Sequence, residues 1–252
     1  MRIDLNSDVG ESYGAWRLGD DEALLDVVTS ANVACGFHAG DPATMRRTVA
    51  LAAANGVAIG AQVSYPDLVG FGRRELGATP AQIRDDVLYQ LGALDGICRA
   101  EDTRVRYLRP HGALYHRCAI DPAAAEAAIA ACHAFDPDLA VVAPPGSAML
   151  HAAEAAGLRT VREGFADRRY APDGGLAPRD SADAVVTDVE AAVAQALGLV
   201  CDSAVAAIDG SVLATQIDTI CIHGDTPGAG ALARAVRDAL EQAGVTVAAA
   251  VP

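Results

Sequence analysis

Short apolar runs alternate with Ala-rich stretches of helical period along nearly the whole chain. Seven of the runs read as buried strands: Ile3 to Asn6, Ala31 to Cys35, Val57 to Gln62, Val105 to Arg109, Leu139 to Ala143, Thr160 to Glu163 and Thr219 to His223. Continuous apolar strands separated by helices are the pattern of β/α units, in which a parallel sheet is covered on both faces. Asp41-Pro42, Thr79-Pro80 and Asp121-Pro122 each place an N-cap residue before a proline, so three helices are predicted to start there. The first of these runs over Ala43 to Asn55 and stops at Gly56. Val205 to Thr215, centred on Asp209-Gly210, predicts a β-hairpin inserted before the last unit. No linker breaks the alternation, so residues 1–252 are expected to form a single domain. The expected fold is an α/β class barrel, seven-stranded and irregular, with an open doubly wound sheet as the alternative.

Polar residues gather just after these strands. Asn6, Asp8 and Glu11 follow the first, Asn32 and His38 the second, and Gln62, Ser64 and Asp67 the third. The fourth ends in Arg109-Pro110-His111-Gly112, the sixth in Glu163 to Arg169, and the last in His223-Gly224-Asp225. Parallel α/β folds keep their active groups at the carboxyl ends of the strands, so this convergence predicts an enzyme. Each residue also has a plainer reading. Asp8 and Glu11 flank Gly10 and suit a turn; His38 suits a loop hydrogen bond; Asp225 suits a cap for the helix after Pro227. His223 and Asp225 otherwise read as an acid/base pair. His133 and His151 fall in helical stretches and read as structural, and His116 fits either role.

Asp8, His38 and His111 together make a carboxylate and two imidazoles, a set that suits a divalent ion with one position left for water. The glycine-punctuated stretch Tyr65 to Gly77 carries Arg73 and Arg74 and reads as a surface connection or as a lid bringing arginine to an anion. Phe165 to Arg179 has the same character.

Charge and composition narrow the partners. A formal net charge of -14 argues against nucleic acid and anionic membranes, and an anionic substrate would need locally placed arginines. No apolar run reaches the length of a membrane span, and the polar start predicts a cytoplasmic protein. The six cysteines are dispersed without a C-x-x-C pair and read as reduced core residues. The chain has no lysine; all 19 basic residues are arginine, which excludes a lysine-bearing phosphate loop and a Schiff base within this chain.

DLNSDVGESYG (Asp4 to Gly14), NVACGFHAGDP (Asn32 to Pro42), SYPDLVGFGRR (Ser64 to Arg74), RPHGALYH (Arg109 to His116), EGFADRRYAPDGGL (Glu163 to Leu176) and IHGDTPGA (Ile222 to Ala229) together resemble the LamB/YcsF family, in order and over almost the whole chain. Two positions depart from the family pattern: Gln62 stands where G-A-H-P-S is usual, and Arg109 where K-P-H-G-A-L-Y is usual. The resemblance implies a barrel related to the polysaccharide-deacetylase superfamily. It also implies ATP-dependent opening of 5-oxoproline to L-glutamate in a complex with 5-oxoprolinase subunits B and C, with a homo-oligomer also possible. Under that reading Asp8, Glu11, His38, Arg109, His111, His223 and Asp225 are the catalytic candidates. Asn6, Asn32, Gln62, Ser64, Arg73, Arg74, Glu163 and Arg168 are the substrate-binding candidates. A self-sufficient metal-dependent amide hydrolase or deacetylase, using Asp8, His38 and His111, is the second reading, and a non-catalytic carrier of a small carboxylic acid the third.

Overall fold

The computed structural model describes every residue except Asp180, Ala182 and Pro252. The described residues form ten strands: β1 Arg2–Val9, β2 Ser30–Ala34, β3 Ala58–Gln62, β4 Val105–Leu108, β5 Ala140–Ala143, β6 Thr160–Phe165, β7 Ala204–Ala206, β8 Val212–Ala214, β9 Thr219–Ile222 and β10 Thr246–Val247. Eight α-helices connect them: α1 Asp21–Leu25, α2 Pro42–Ala54, α3 Pro80–Ala100, α4 Gly112–Ile120, α5 Pro122–Phe135, α6 Ala148–Ala155, α7 Val189–Leu197 and α8 Ala229–Gln242. Strands β1, β2, β3, β4, β5, β6 and β9 are parallel neighbours in that order, and β9 returns to β1. The sheet is therefore a closed seven-stranded barrel, and the open-sheet alternative is excluded. Strands β7 and β8 pair antiparallel as a two-stranded hairpin, as the Asp209-Gly210 turn predicts, and Tyr170 bridges to Ala207 beside it.

Strand parity divides each strand between two environments. Outward residues such as Leu5, Val33, Ile59, Leu108, Val141 and Ile220 pack under the helices in the main apolar core. Inward residues are largely polar. Asp4, Asn6 and Asp8 of β1 lie in register with Ser30 and Asn32 of β2 and with Thr219 and Cys221 of β9. A small apolar plug of Tyr107, Ala140, Val142 and Val161 meets Ala250 and Val251 at the amino end of the barrel. There β10 extends the sheet beside the start of β1. Gly60 makes room inside: a Cβ there would overlap the Tyr107 ring, whose hydroxyl donates to Asn32 Oδ1 at 2.8 Å.

The three proline-marked caps form as read. Asp41 accepts from the amides of Ala43 and Thr44, Asp121 from Ala123, and Thr79 shares a capping box with Gln82. β1 and β6 run longer than their apolar runs, which end at Asn6 and Glu163, so Asn6, Asp8 and Glu163 lie inside the barrel rather than beyond it. Among the described residues no helix is long and apolar enough to cross a membrane.

Candidate active site

At the carboxyl end of the barrel a cavity of about 280 Å³ lies between the ends of β4, β6 and β9. Its wall holds Arg73, Arg109, Arg168, Arg179, His111, His116 and His223 with Tyr115 and Phe165. A wider hollow of about 950 Å³ shares Tyr115, His116, Phe165 and Leu176 with it.

The deepest cation is already matched. Arg109 at the end of β4 contacts both oxygens of Asp8 at 3.0 and 3.1 Å through Nη1 and both of Glu163 at 3.2 Å through Nε. Tyr115 donates to Glu163 at 2.7 Å, and its ring centre lies 4.9 Å from the guanidinium carbon. Burial alone would raise the Asp8 pKa, but Arg109 overrides it and holds the carboxyl well below the usual range. Asn32 Nδ2 donates to Asp8 at 2.8 Å and to Asn6 Oδ1 at 2.7 Å, and Asn6 donates to Thr219. Asn6, Asn32 and Glu163, expected as substrate contacts, are tied into the buried network around Asp8 and Arg109, and Glu163 also lines the wider hollow. Ser64 is likewise tied to the His111 carbonyl and to Gln90.

The upper wall carries positive charge without equal compensation. Arg168, on the stretch after β6, donates to the carbonyls of Ala184 and Ala177 at 3.3 and 2.6 Å. Burial, then Arg179, then Arg73 push its pKa down to about 10. Arg73 and Arg179 share one carboxylate, Asp225. His116 stands exposed at the mouth, yet desolvation, followed by Arg168, Arg109 and Arg179, pushes its pKa down to about 4. Cations that depress one another's pKa are relieved by an anion between them. Arg74 is not part of this wall; it turns outward to Asp67.

His223 is paired with Asp167. Its Nδ1 lies 3.0 and 3.1 Å from the two Asp167 oxygens, and its backbone N–H donates to Asp167 at 2.9 Å. Thr226 donates to the same carboxylate at 3.0 Å. Burial tends to raise the Asp167 pKa, but the His223 ring and these hydrogen bonds lower it below the usual carboxylate value. Asp225, expected to pair with His223, instead holds Arg73, because Gly224 turns the chain between them. The buried partner comes from the far end of β6, 56 residues away in sequence.

Behind His111 lies a second, fully buried group. Glu11, His38 and His111 bring three possible metal-ligand atoms within 4.8 Å of one another, a composition consistent with a divalent ion. The expected carboxylate ligand, Asp8, is replaced by Glu11, since Asp8 is committed to Arg109. The imidazoles stack at 4.2 Å, and Phe71 meets both edge-on. The Gln62 side chain lies among all three groups: its Nε2 is 2.8 Å from Glu11 Oε1 and 3.0 Å from His111 Nδ1, and its Oε1 is 3.2 Å from His38 Nε2. Burial lowers the pKa of both histidines; burial and then Asp8 raise that of Glu11 well above its ordinary value.

Of the residues expected from sequence, Arg73, Arg109, His111, Arg168 and His223 reach the cavity. Arg179 and Asp167 were not among the expected site residues, and His116, which fits either role in the sequence, lines the cavity. Arg179 and Asp167 carried a signal, since both fall in the arginine-rich stretch after β6.

The model of the LamB/YcsF family matches residues 3–252. The chain belongs to the LamB/YcsF family. This LamB/YcsF protein is 55% identical over 247 residues to the 5-oxoprolinase A subunit of Nocardia farcinica, with 98% of each chain covered. The crystal structure of the lactam utilization protein from Thermus thermophilus superposes with a TM-score of 0.93 at 48% identity, covering 99% of this chain and 100% of that one. A family 4 carbohydrate esterase from Streptomyces lividans, 12% identical, superposes with a TM-score of 0.51 over 98% of this chain and 91% of its own. That likeness is one of fold: the two chains share the barrel.

Proposed function

We propose that this chain is the A subunit of a cytoplasmic, ATP-dependent 5-oxoprolinase, opening the lactam of 5-oxoproline to L-glutamate with partner subunits B and C. The observation that carries the reading is the placement, in one cavity, of the guanidinium groups of Arg73, Arg168 and Arg179, besides the matched Arg109, next to a histidine whose Nδ1 is fixed by a buried aspartate. The names of the relatives at 55% and 48% identity, a 5-oxoprolinase A subunit and a lactam utilization protein, support it.

The substrate carboxylate fits Arg168 and Arg179, where bidentate contacts are strong. With Nδ1–H donated to Asp167, His223 presents Nε2 as a base. It takes a proton from water as the oxygen attacks the lactam carbonyl and returns it to the ring nitrogen as the C–N bond breaks, leaving glutamate. A lactam is an unreactive amide and its opening is poorly driven, so ATP supplies activation and direction. Arg73 is the guanidinium left for the carbonyl oxygen; where ATP first phosphorylates that oxygen with release of ADP, water attack and C–N cleavage leave a γ-glutamyl phosphate, which a second water splits to glutamate and inorganic phosphate. With no lysine for a phosphate loop, the nucleotide is held by the partner subunits, at their interface with this chain, or in a site of another kind within it.

His223→Ala is expected to lower turnover by about 10²- to 10⁴-fold in the reconstituted mixture while 5-oxoproline still binds. A folded His223→Ala variant with wild-type turnover would remove the base from this scheme.

A further inference from the structure

The buried group behind His111 has the side chains of a metal site and the hydrogen bonds of something else. Two ligand atoms on one ion with bonds of about 2.1 Å lie roughly 3.4 Å apart at a tetrahedral angle. The observed pairs, 3.6 Å for His111 Nδ1 with Glu11 Oε1 and 4.0 Å for His38 Nε2 with the same oxygen, come close to that. The space between them, however, holds the Gln62 amide. Its nitrogen lies at hydrogen-bond distance from the Glu11 oxygen and from His111 Nδ1, which an ion would need as ligands. An amide nitrogen is a donor and supplies no lone pair to a cation.

The hydrogen bonds also fix the ring tautomers. His111 Nδ1 accepts from Gln62, so its proton is on Nε2, which lies 3.0 Å from the Phe71 carbonyl and donates to it. His38 Nε2 donates to Gln62 Oε1, at 3.2 Å. His38 Nδ1 is then a bare acceptor, and it is the buried side-chain polar atom without a partner among the described residues. Gln62 is wholly buried on β3, with Gly60 before it filled over by Tyr107 and Ser64 after it tied to Gln90. Removing its amide from the cluster would strand two buried acceptors, Glu11 Oε1 and His111 Nδ1, and one buried donor, His38 Nε2–H.

We propose that in this chain the Gln62 amide takes the place of a divalent cation, tying Glu11, His38 and His111 into a metal-free cluster from which it excludes an ion. Histidine at position 62 would replace the donor with a lone pair and complete a carboxylate and three-imidazole set for a transition metal.

The test is metal binding by the full chain, independent of turnover. Wild type, Gln62→His and Gln62→Ala are stripped with chelator, exposed to Co²⁺ or Zn²⁺ and desalted. Metal content, the Co²⁺ visible spectrum and the melting temperature are then measured. The expected result is no retained ion and no melting shift for wild type, against one ion per chain for Gln62→His, abolished by adding His38→Ala. Should Gln62→His fail to fold, Gln62→Ala serves in its place, with a gain of Co²⁺ binding over wild type expected. One ion retained by wild type and lost in Glu11→Gln overturns the proposal. So does a failure of every folded position-62 variant to bind, because the amide would then not be what keeps the ion out.

Discussion

Arg168 and Arg179, with His116 beside them, decide the chemistry of the cavity. His116 is kept neutral by desolvation and by guanidinium groups rather than by a hydrogen bond. An anion between those groups would lift its pKa from about 4 toward the unperturbed value of about 6.5. Binding of 5-oxoproline near pH 5 is therefore expected to take up protons. Calorimetry in buffers of different ionisation enthalpy would show this, and His116→Asn should abolish it. Arg179→Ala should raise KM far more than it lowers kcat, since the proposed carboxylate contact would be made in ground and transition states alike; a pure kcat effect in steady-state kinetics would contradict that role. His38 and His111, whose pKa values burial lowers, make a stability prediction. The unfolded chain binds their protons below about pH 6.5 and the folded chain does not, so their contribution is lost as pH falls through that value. Urea unfolding between pH 7 and 5 should show falling stability, with a flatter slope in His38→Asn; an unchanged slope would show that His38 does not carry it.

At the scale of elements, the sequence was most readable where one force dominated. The three Asp-Pro and Thr-Pro starts became capped helices because proline and the cap oxygen meet the same need of the first turn. The seven apolar runs became the barrel, and Asp209-Gly210 turned the hairpin. Strand ends were less readable, since inward positions of β1 and β6 are polar and interrupt the apolar run without ending the strand. That is why Asn6, Asp8 and Glu163 were expected on the rim. Glu11 was hard to place for a related reason: Gly10, at φ +69°, breaks strand parity, so Glu11 reaches the histidines while Asp8 reaches Arg109. The Asp167 to His223 pairing joins the ends of two adjacent strands, and no local pattern shows it. The close fit of β3 to β4 gives a direct test. Gly60→Ala drives a methyl into Tyr107 and should cost about 1–3 kcal/mol by chemical denaturation. A neutral effect would mean that Tyr107 has room to move.

For the whole molecule, the net charge of -14 contrasts with a cavity walled by arginine. The general field repels anions, and the local arginines are what the proposed carboxylate substrate would need against it. Closure of the barrel brings that wall to the Asp167–His223 pair, so in the proposed scheme one unit both holds the substrate carboxylate and activates water. The most direct test is glutamate and ADP release from 5-oxoproline and ATP by the purified chain, alone and with the B and C subunits, using wild type and Asp167→Asn. The account predicts glutamate and ADP in equal amounts from the wild-type mixture, little from the chain alone, and a loss of about 10²-fold or more with folded Asp167→Asn. Undiminished glutamate release from the Asp167→Asn mixture, or no release from a fully folded wild-type mixture, would contradict it.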